Sequence, residues 1–230
     1  MVKVSVIMPV FNGVNFLDTS CQSLYNQTLN DIELICVNDG STDNTLDKLH
    51  ELSKKYDFIK IFNQENQGSG KARNNGIKEA TGEYIAFLDA DDIFVDENAL
   101  ELMYKYGTEN NADMVGGNLK RVADDGTLED NFNYKHKNYT YFDKYGFILP
   151  EDYGIPWAFY KNIFKKELLY ENKILFPDLK RGQDPVFLAE ILTKISKIYT
   201  VPIDLYGYNY SNNGGANAKI NSYEKKSRLF

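Results

Sequence analysis

The chain has 230 residues, 26 basic against 33 acidic side chains, and a formal net charge of -7. That balance excludes a surface built for nucleic acid or anionic lipid, short of a local basic groove. Hydrophobic residues make up 43% and aromatics 14%, enough for a sizeable core, and no stretch approaches the ~20 apolar residues of a membrane span.

In chain order, "MVKVSVIMPVF" carries one lysine and a short apolar run broken by Pro9. It is too short for a secretory leader and reads as a strand. From Asn15 to Asn26, Leu17, Cys21, Leu24 and Tyr25 share one helical face. "IELICV" (32–37) is a second strand, closed by the turn and cap formers "NDGSTDNT". Leu46, Leu49, Leu52 and Tyr56 recur at helical spacing, and "FIKIF" (58–62) is a third strand. The polar loop "NQENQGSG" leads into a helix from Lys71 to Ala80, ended by Gly82. "YIAFLD" is a fourth strand, 97–106 a helix, and "DMVGG" a short fifth strand. Such alternation predicts βαβ units and a mostly parallel sheet flanked by helices.

Past about residue 120 the rhythm fails. Residues 121–154 have no sustained period, helical spacing returns over 164–172 and 184–196, and "IYTVPIDLYGYNY" reads as β. The closing "SYEKKSRLF" looks like the start of another helix, as if the chain were truncated. The cysteines, Cys21 and Cys36, lie in apolar contexts far from any metal-binding spacing. They are expected to be buried, reduced hydrophobes, with a disulfide as the minor alternative. The location expected from this is the cytoplasm, with any attachment to the inner face of the membrane supplied by a partner. The sequons at Asn26, Asn138 and Asn209 are then chance.

In parallel sheets ligands sit outside the carboxyl ends of the strands. "PVFNG", "NDGSTD" and "DADD" each follow such an end, so they are expected to line one edge. Asp89, Asp91 and Asp92 there repel one another by about 1–4 kcal/mol per close pair. A divalent cation with hard oxygen ligands, Mg²⁺ or Mn²⁺, is the simplest neutraliser. An EF-hand does not fit, because its glycine is missing and Leu100 stands where its bidentate Glu belongs. A strand followed by D-x-D also opens aspartyl phosphatases, with Asp89 attacking phosphorus and Asp91 as acid, although there the motif usually follows the first strand. "NQGSGKARNNG" is neither a dinucleotide fingerprint, since Arg73 replaces a glycine, nor a Walker loop. It leaves Lys71 and Arg73 in a first helical turn, where an anion would offset the unfavourable dipole. Asp184, before Pro185, reads as a helix cap or as an acid–base carboxylate. His50 and His136 lie in no site-like context.

Taken in order, "VSVIMPVFNG", "ICVNDGSTDNT", "NQGSGKARNNGIKEATGEYIAFLDADD" and "KRGQDPVF" strongly resemble the family 2 glycosyltransferases. These are inverting enzymes of the GT-A fold that use nucleotide-diphosphate sugars. The resemblance is dense over residues 3–95 and looser over 120–230, where it rests on "IPWAFYKNIFKKELL", "FPDLKRGQDPVF" and the Tyr-rich strand. It implies a nucleotide-sugar-binding half over 1–120 and an acceptor-side half of the same domain over 121–230. By the same resemblance Pro9, Phe11 and Asn12 wall a uracil pocket and Asp39 bonds the base. Arg73 contacts the nucleotide, Asp89 and Ala90 lie on its ribose side, and Asp91 holds Mn²⁺ or Mg²⁺ on the diphosphate. Asp92 either assists Asp91 or caps the next helix. Asp184 stands at the catalytic base, and Gln183 replaces the Glu that commonly precedes it. The Gln-x-x-Arg-Trp motif of processive synthases is absent, which implies one sugar per encounter. The expected donor is a UDP-sugar, and the acceptor a glycan or lipid-linked sugar of a cell-surface precursor. Among the aromatics of 132–164, most of them core, Trp157 is the candidate to touch sugar. A nucleotide-binding module without catalysis is the remaining alternative.

Overall fold

The computed structural model describes residues 1–123, 126–129, 140–154 and 156–209. The first half alternates as the sequence predicts, save for the two-residue β5, which the periodicity did not show and which pairs β10: β1 (Val4–Val10), α1 (Leu17–Tyr25), β2 (Ile32–Asp39), α2 (Thr45–Lys55), β3 (Ile59–Gln64), α3 (Ser69–Glu79), β4 (Tyr84–Phe87), β5 (Ile93–Phe94), α4 (Ala99–Glu109) and β6 (Met114–Val122). There follow β7 (Leu128–Glu129), β8 (Gly146–Ile148), two 3₁₀ turns (Pro150–Tyr153, Phe159–Lys161), β9 (Asn162–Lys165), α5 (Lys166–Glu171), α6 (Gln183–Leu192) and β10 (Ile198–Asn209). The strands form one sheet in the order β3-β2-β1-β4-β9-β6-β10-β5, with β7 on β6 and β8 on β10.

β1 is parallel to β2 and β4, β2 to β3, and β6 to β10. β9 runs antiparallel between β4 and β6, so those two strands still point the same way. The fold is therefore the mostly parallel sheet flanked by helices that the alternation predicts.

Two apolar layers cover the sheet, and the period-2 alternation of β1 assigns residues to them. Val4, Val6, Met8 and Val10 pack in one layer with Leu17, Cys21, Leu24, Leu49, Leu52, Leu100 and Met103. Ile7 faces the other, with Ile35, Val37, Phe87, Ala72, Ile77, Phe187 and Ile191. Pro9, without an N–H, lies beyond the stretch of β1 that pairs β4, which ends at Ile7↔Phe87. Glu33 is buried and accepts hydrogen bonds from Ser5 Oγ (2.5 Å), Thr81 N (2.7 Å), Thr81 Oγ1 (2.8 Å) and Lys60 Nζ (2.6 Å). It ties β1, β2, β3 and the approach to β4 at the end of the sheet away from the motif loops.

The second half departs from the reading of its sequence. The helix expected over 164–172 is shared between β9 and α5. A four-residue strand enclosed by neighbours on both edges leaves no alternation to detect. The fifth strand runs on to Val122 because β10 pairs its far end, Gly207 to Lys120 and Asn209 to Val122. The register of that pair slips between Thr200 and Tyr206, around Pro202, as expected where a strand residue has no N–H to give. Cys21 and Cys36 are buried and free; burial, then Asp18, pushes the Cys21 thiol up to about 12, so it packs as a hydrophobe. No helix among the described residues is long and apolar enough to cross a membrane. The helix expected within 222–230, the sequon at Asn138 and the aromatics of 132–139 lie outside the described residues.

Candidate active site

The carboxyl ends of β1, β2 and β4 lie side by side, and the three polar motifs leave the sheet there. The first two are stitched together. Asn12 takes a left-handed backbone (φ 51°), which asparagine tolerates better than most residues. Its N–H donates to Ser41 Oγ (3.0 Å), its Oδ1 accepts from Thr42 N (2.8 Å), and Gly13 N donates to Thr45 Oγ1 (2.9 Å). Beside this seam Phe11 is 51% exposed, a large apolar ring held open at the strand end. Asp39, buried at the end of β2, accepts from Gln64 Nε2 (2.7 Å), Gln67 N (2.8 Å) and Gly68 N (2.8 Å). It thereby fixes the loop that enters α3.

Arg73 is the hub. It is 5% exposed, and its guanidinium lies over the rings of Phe159 and Phe176 at 5.0 and 5.2 Å. Nη2 pairs with Asp89 Oδ1 at 2.6 Å, and Nη1 lies 3.6 Å from Asp184 Oδ1. Beneath it, Phe87 meets Phe159, Phe176 and Phe187 edge-on, and Phe176 stacks on Phe187 at 3.9 Å. Phe159, with rings from three other segments of the chain, is thus the floor under this arginine. The anions that offset the cations of α3 belong to the chain itself: Asp89 and Asp184 for Arg73, and Asp178 for Lys71 at 3.2 Å.

The three aspartates after β4 occupy three different environments. Asp89 is held by Arg73. Asp92 is buried, accepting from Tyr206 Oη (2.5 Å) and Asn209 N (2.7 Å). Burial first, then Asp91 and Asp89, holds its pKa well above the usual carboxylate range. Asp92 therefore does not cap the next helix, whose cap position is Asn98; it anchors β10. Only Asp91 makes no hydrogen bond or ion pair with another side chain among the described residues. Burial, then Asp89, pushes its pKa up to about 6, and it borders a cavity of about 190 Å³ with Phe16, Asp92, Val122 and Asn209. Ala90 turns its carbonyl away to Ser20 Oγ (2.7 Å).

No cluster of three or more His, Cys, Asp or Glu poised for a metal forms among the described residues. One available carboxylate still fits Mg²⁺ or Mn²⁺, which are commonly held by one or two carboxylates plus substrate phosphates and waters. Asp184 is the second residue of α6, whose cap position is Gly182 and not Asp184 as the sequence allowed; its pKa is raised by burial, with Arg73 opposing and Asp89 adding. Arg73 draws Asp89 and Asp184 together, whereas Trp157 stands half exposed (49%) outside that group. Tyr206, which the sequence reading missed, joins Asp92 to the site and accepts from Asp89 N at 3.1 Å. The only trace of it in the sequence was its place in a tyrosine-rich run.

Residues 5–168 match the family described as Glycosyl transferase family 2. Among curated proteins, the chain is 36% identical over 214 residues to the poly(ribitol-phosphate) beta-glucosyltransferase of Bacillus spizizenii, covering 90% of this chain and 32% of that protein. It is 37% identical over 216 residues to the poly(ribitol-phosphate) beta-N-acetylglucosaminyltransferase TarP of Staphylococcus aureus, covering 90% of this chain and 62% of that one. The chain thus spans 32% of the length of the first relative and 62% of the second. Among solved structures, S. aureus TarS 1-349 in complex with UDP superposes with a TM-score of 0.76 at 25% identity, over 91% of this chain and 61% of that chain.

Proposed function

Because the chain belongs to glycosyl transferase family 2, and is thereby a glycosyltransferase of the GT-A fold, we propose that it transfers a sugar from a UDP-sugar to an acceptor hydroxyl on a cell-surface polymer precursor, with inversion at the anomeric carbon and release of UDP. Arg73 held between Asp89 and Asp184 carries this reading, because it puts the donor edge of the sheet and the base-bearing helix on one cation. The relatives that act on poly(ribitol-phosphate) and the UDP complex of TarS support the choice of donor and acceptor class.

Pro9, Phe11 and Asn12 form one wall for the base, Phe11 offering its exposed ring as a stacking face. Asp39 shapes the opposite loop and retains lone pairs for a base N–H. Asp89 and Ala90 face the ribose, with Arg73 fixing the Asp89 carboxylate. Asp91 would hold Mn²⁺ or Mg²⁺ together with the diphosphate; when bound, such an ion stabilises charge on the departing nucleotide. Asp184 accepts the proton of the acceptor hydroxyl as its oxygen bonds to the anomeric carbon and the bond to the UDP oxygen breaks. General-base help of this kind contributes about 10²–10⁴-fold. Trp157, exposed, stacks on the acceptor. Membership of the family replaces the aspartyl phosphatase alternative.

The test is thermal unfolding with saturating UDP, with and without Mn²⁺, for the native chain, Asp91→Asn and Asp184→Asn. At roughly 100 times the dissociation constant, binding adds ~2.7 kcal/mol, read as an upward shift of several degrees. That shift is expected to need Mn²⁺, to vanish in Asp91→Asn and to survive in Asp184→Asn, which loses transfer. Absence of any shift with UDP overturns the donor assignment. Binding of UDP without turnover of any donor sugar would favour the nucleotide-binding module.

A further inference from the structure

The segment from Phe176 to Asp184 lies along the first turns of α3, held by contacts at short intervals. Asn74, buried, clasps both backbone groups of Phe176: its Nδ2 donates to Phe176 O (2.8 Å) and its Oδ1 accepts from Phe176 N (2.8 Å). Lys71 pairs with Asp178 at the exposed margin. Arg73 reaches Asp184. The remaining contact is at Gly70, where a Cβ would fall 1.9 Å from Gln183 Oε1, 2.9 Å from Gln183 Cδ and 3.4 Å from Phe176 Cβ. The amide of Gln183 therefore occupies the space that any other residue at position 70 would need.

Two further facts single out Gln183. Among the described residues its Oε1 is buried with no hydrogen-bond partner. None of their donors accounts for its placement, and a buried acceptor left without a donor is a cost. Gln183 also stands directly before Asp184, after Gly182 in a left-handed turn (φ 78°) that starts α6.

We propose that Gln183 is a positioning residue: its side chain, seated in the notch at Gly70, sets the start of α6 so that Asp184 reaches the acceptor hydroxyl. The inference rests on Asp184 as the base, as argued above. Its physical content is steric. Emptying the notch (Gln183→Ala) or filling it from the other side (Gly70→Ala) lets the helix start shift, and displacement of a base by a fraction of an ångström to an ångström lowers turnover strongly.

The experiment measures kcat and donor KM of the whole chain with UDP-sugar and acceptor for Gln183→Ala, Gly70→Ala, Gln183→Glu and Asp184→Asn, with thermal midpoints to confirm folding. Gln183→Ala and Gly70→Ala are expected to lose about tenfold or more in kcat with donor KM unchanged. Gln183→Glu, of the same shape, is expected to restore most of the loss. Native kcat in Gln183→Ala beside an inactive Asp184→Asn overturns the positioning role and leaves the base assignment standing. Equal losses in Gln183→Glu and Gln183→Ala overturn it as well, because shape would not be what matters. Native turnover in Asp184→Asn overturns the base assignment itself. Should Gln183→Ala not fold, Gly70→Ala and Gln183→Glu decide the matter by the same criteria.

Discussion

Tyr206 donates to Asp92 at 2.5 Å and accepts from Asp89 N at 3.1 Å, so one buried hydroxyl links two of the three aspartates after β4. Tyr206→Phe keeps the ring and leaves a buried carboxyl short of its donor, a loss of about 1–3 kcal/mol. The expected result is a lower unfolding midpoint together with weaker UDP binding, since the turn carrying Asp91 loses its tether. A lower midpoint with unchanged UDP affinity would confine Tyr206 to stability. Arg73 allows a pH prediction. Its charge favours the ionised form of Asp184, against burial and Asp89, which raise the pKa. Because the base works only when ionised, the acid limb of kcat/KM should lie above the ordinary aspartate value of about 3.9. In Arg73→Met the limb should move further up, because the stabilising cation is gone. A limb that stays put would remove Arg73 from the environment of the base.

At the scale of elements, α3 holds the molecule's parts together. One side of its N-terminal turns holds the 176–184 segment, and its later turns lie against the sheet. Gly76 marks the closest approach, where a Cβ would meet Ile7 Cγ2 at 2.4 Å and Ile7 Cγ1 at 3.3 Å. Ile7 is fully buried in a central strand and has no room to turn away. Gly76→Ala gains helix propensity of about 1 kcal/mol but overpacks the core at about 1–3 kcal/mol. The expected outcome is net destabilisation, seen as a lower denaturant midpoint. A stabilised variant would mean that the helix lifts off the sheet without cost. "NQGSGKARNNG", read from sequence as a possible anion cradle, is thus in large part a packing motif: glycines at 70 and 76 where other groups come close, and polar residues between them that hold the base segment.

For the whole molecule, stability carries the mark of Lys161, a buried cation with no carboxylate paired to it among the described residues. Lys161 is 1% exposed; its Nζ donates to Thr140 O and lies over the rings of Phe142 (4.0 Å) and Tyr153 (5.4 Å). Burial holds its pKa down to about 7, against about 10.4 in an unfolded chain. Between those values the unfolded chain binds a proton that the folded chain lacks, so this group makes stability rise with pH across the window. Lys161→Met removes the penalty. The difference in unfolding midpoint between variant and native chain should favour the variant at pH 7 and shrink toward pH 10; a difference constant with pH would show that Lys161 is not the group responsible. Glu33 acts at the other end. Burial alone would raise its pKa, but Lys60, Ser5 and Thr81 outweigh that and lower it. Its contribution is therefore complete above its unfolded value and lost as pH falls through the folded one.

What could be read from the sequence was whatever depends on local order. Apolar periodicity sets strands against helices, and β1 to β4 with α1 to α4 follow from it. The rule that strand ends gather ligands put the motifs of Asn12, Asp39 and Asp89 on one edge. The sequence alone could not divide "DADD" into its three roles, because each depends on a partner distant along the chain: Arg73 for Asp89, and Tyr206 and Asn209 for Asp92, which leaves Asp91 without a hydrogen bond or ion pair to another side chain among the described residues. Nor could it place β9, whose four residues are a strand only because β4 and β6 flank them. Asp184 and Arg73, more than a hundred positions apart, meet because the sheet brings β4, α3 and the start of α6 to one point. Long-range pairing of this kind is set by packing in three dimensions, and no periodicity of the chain records it.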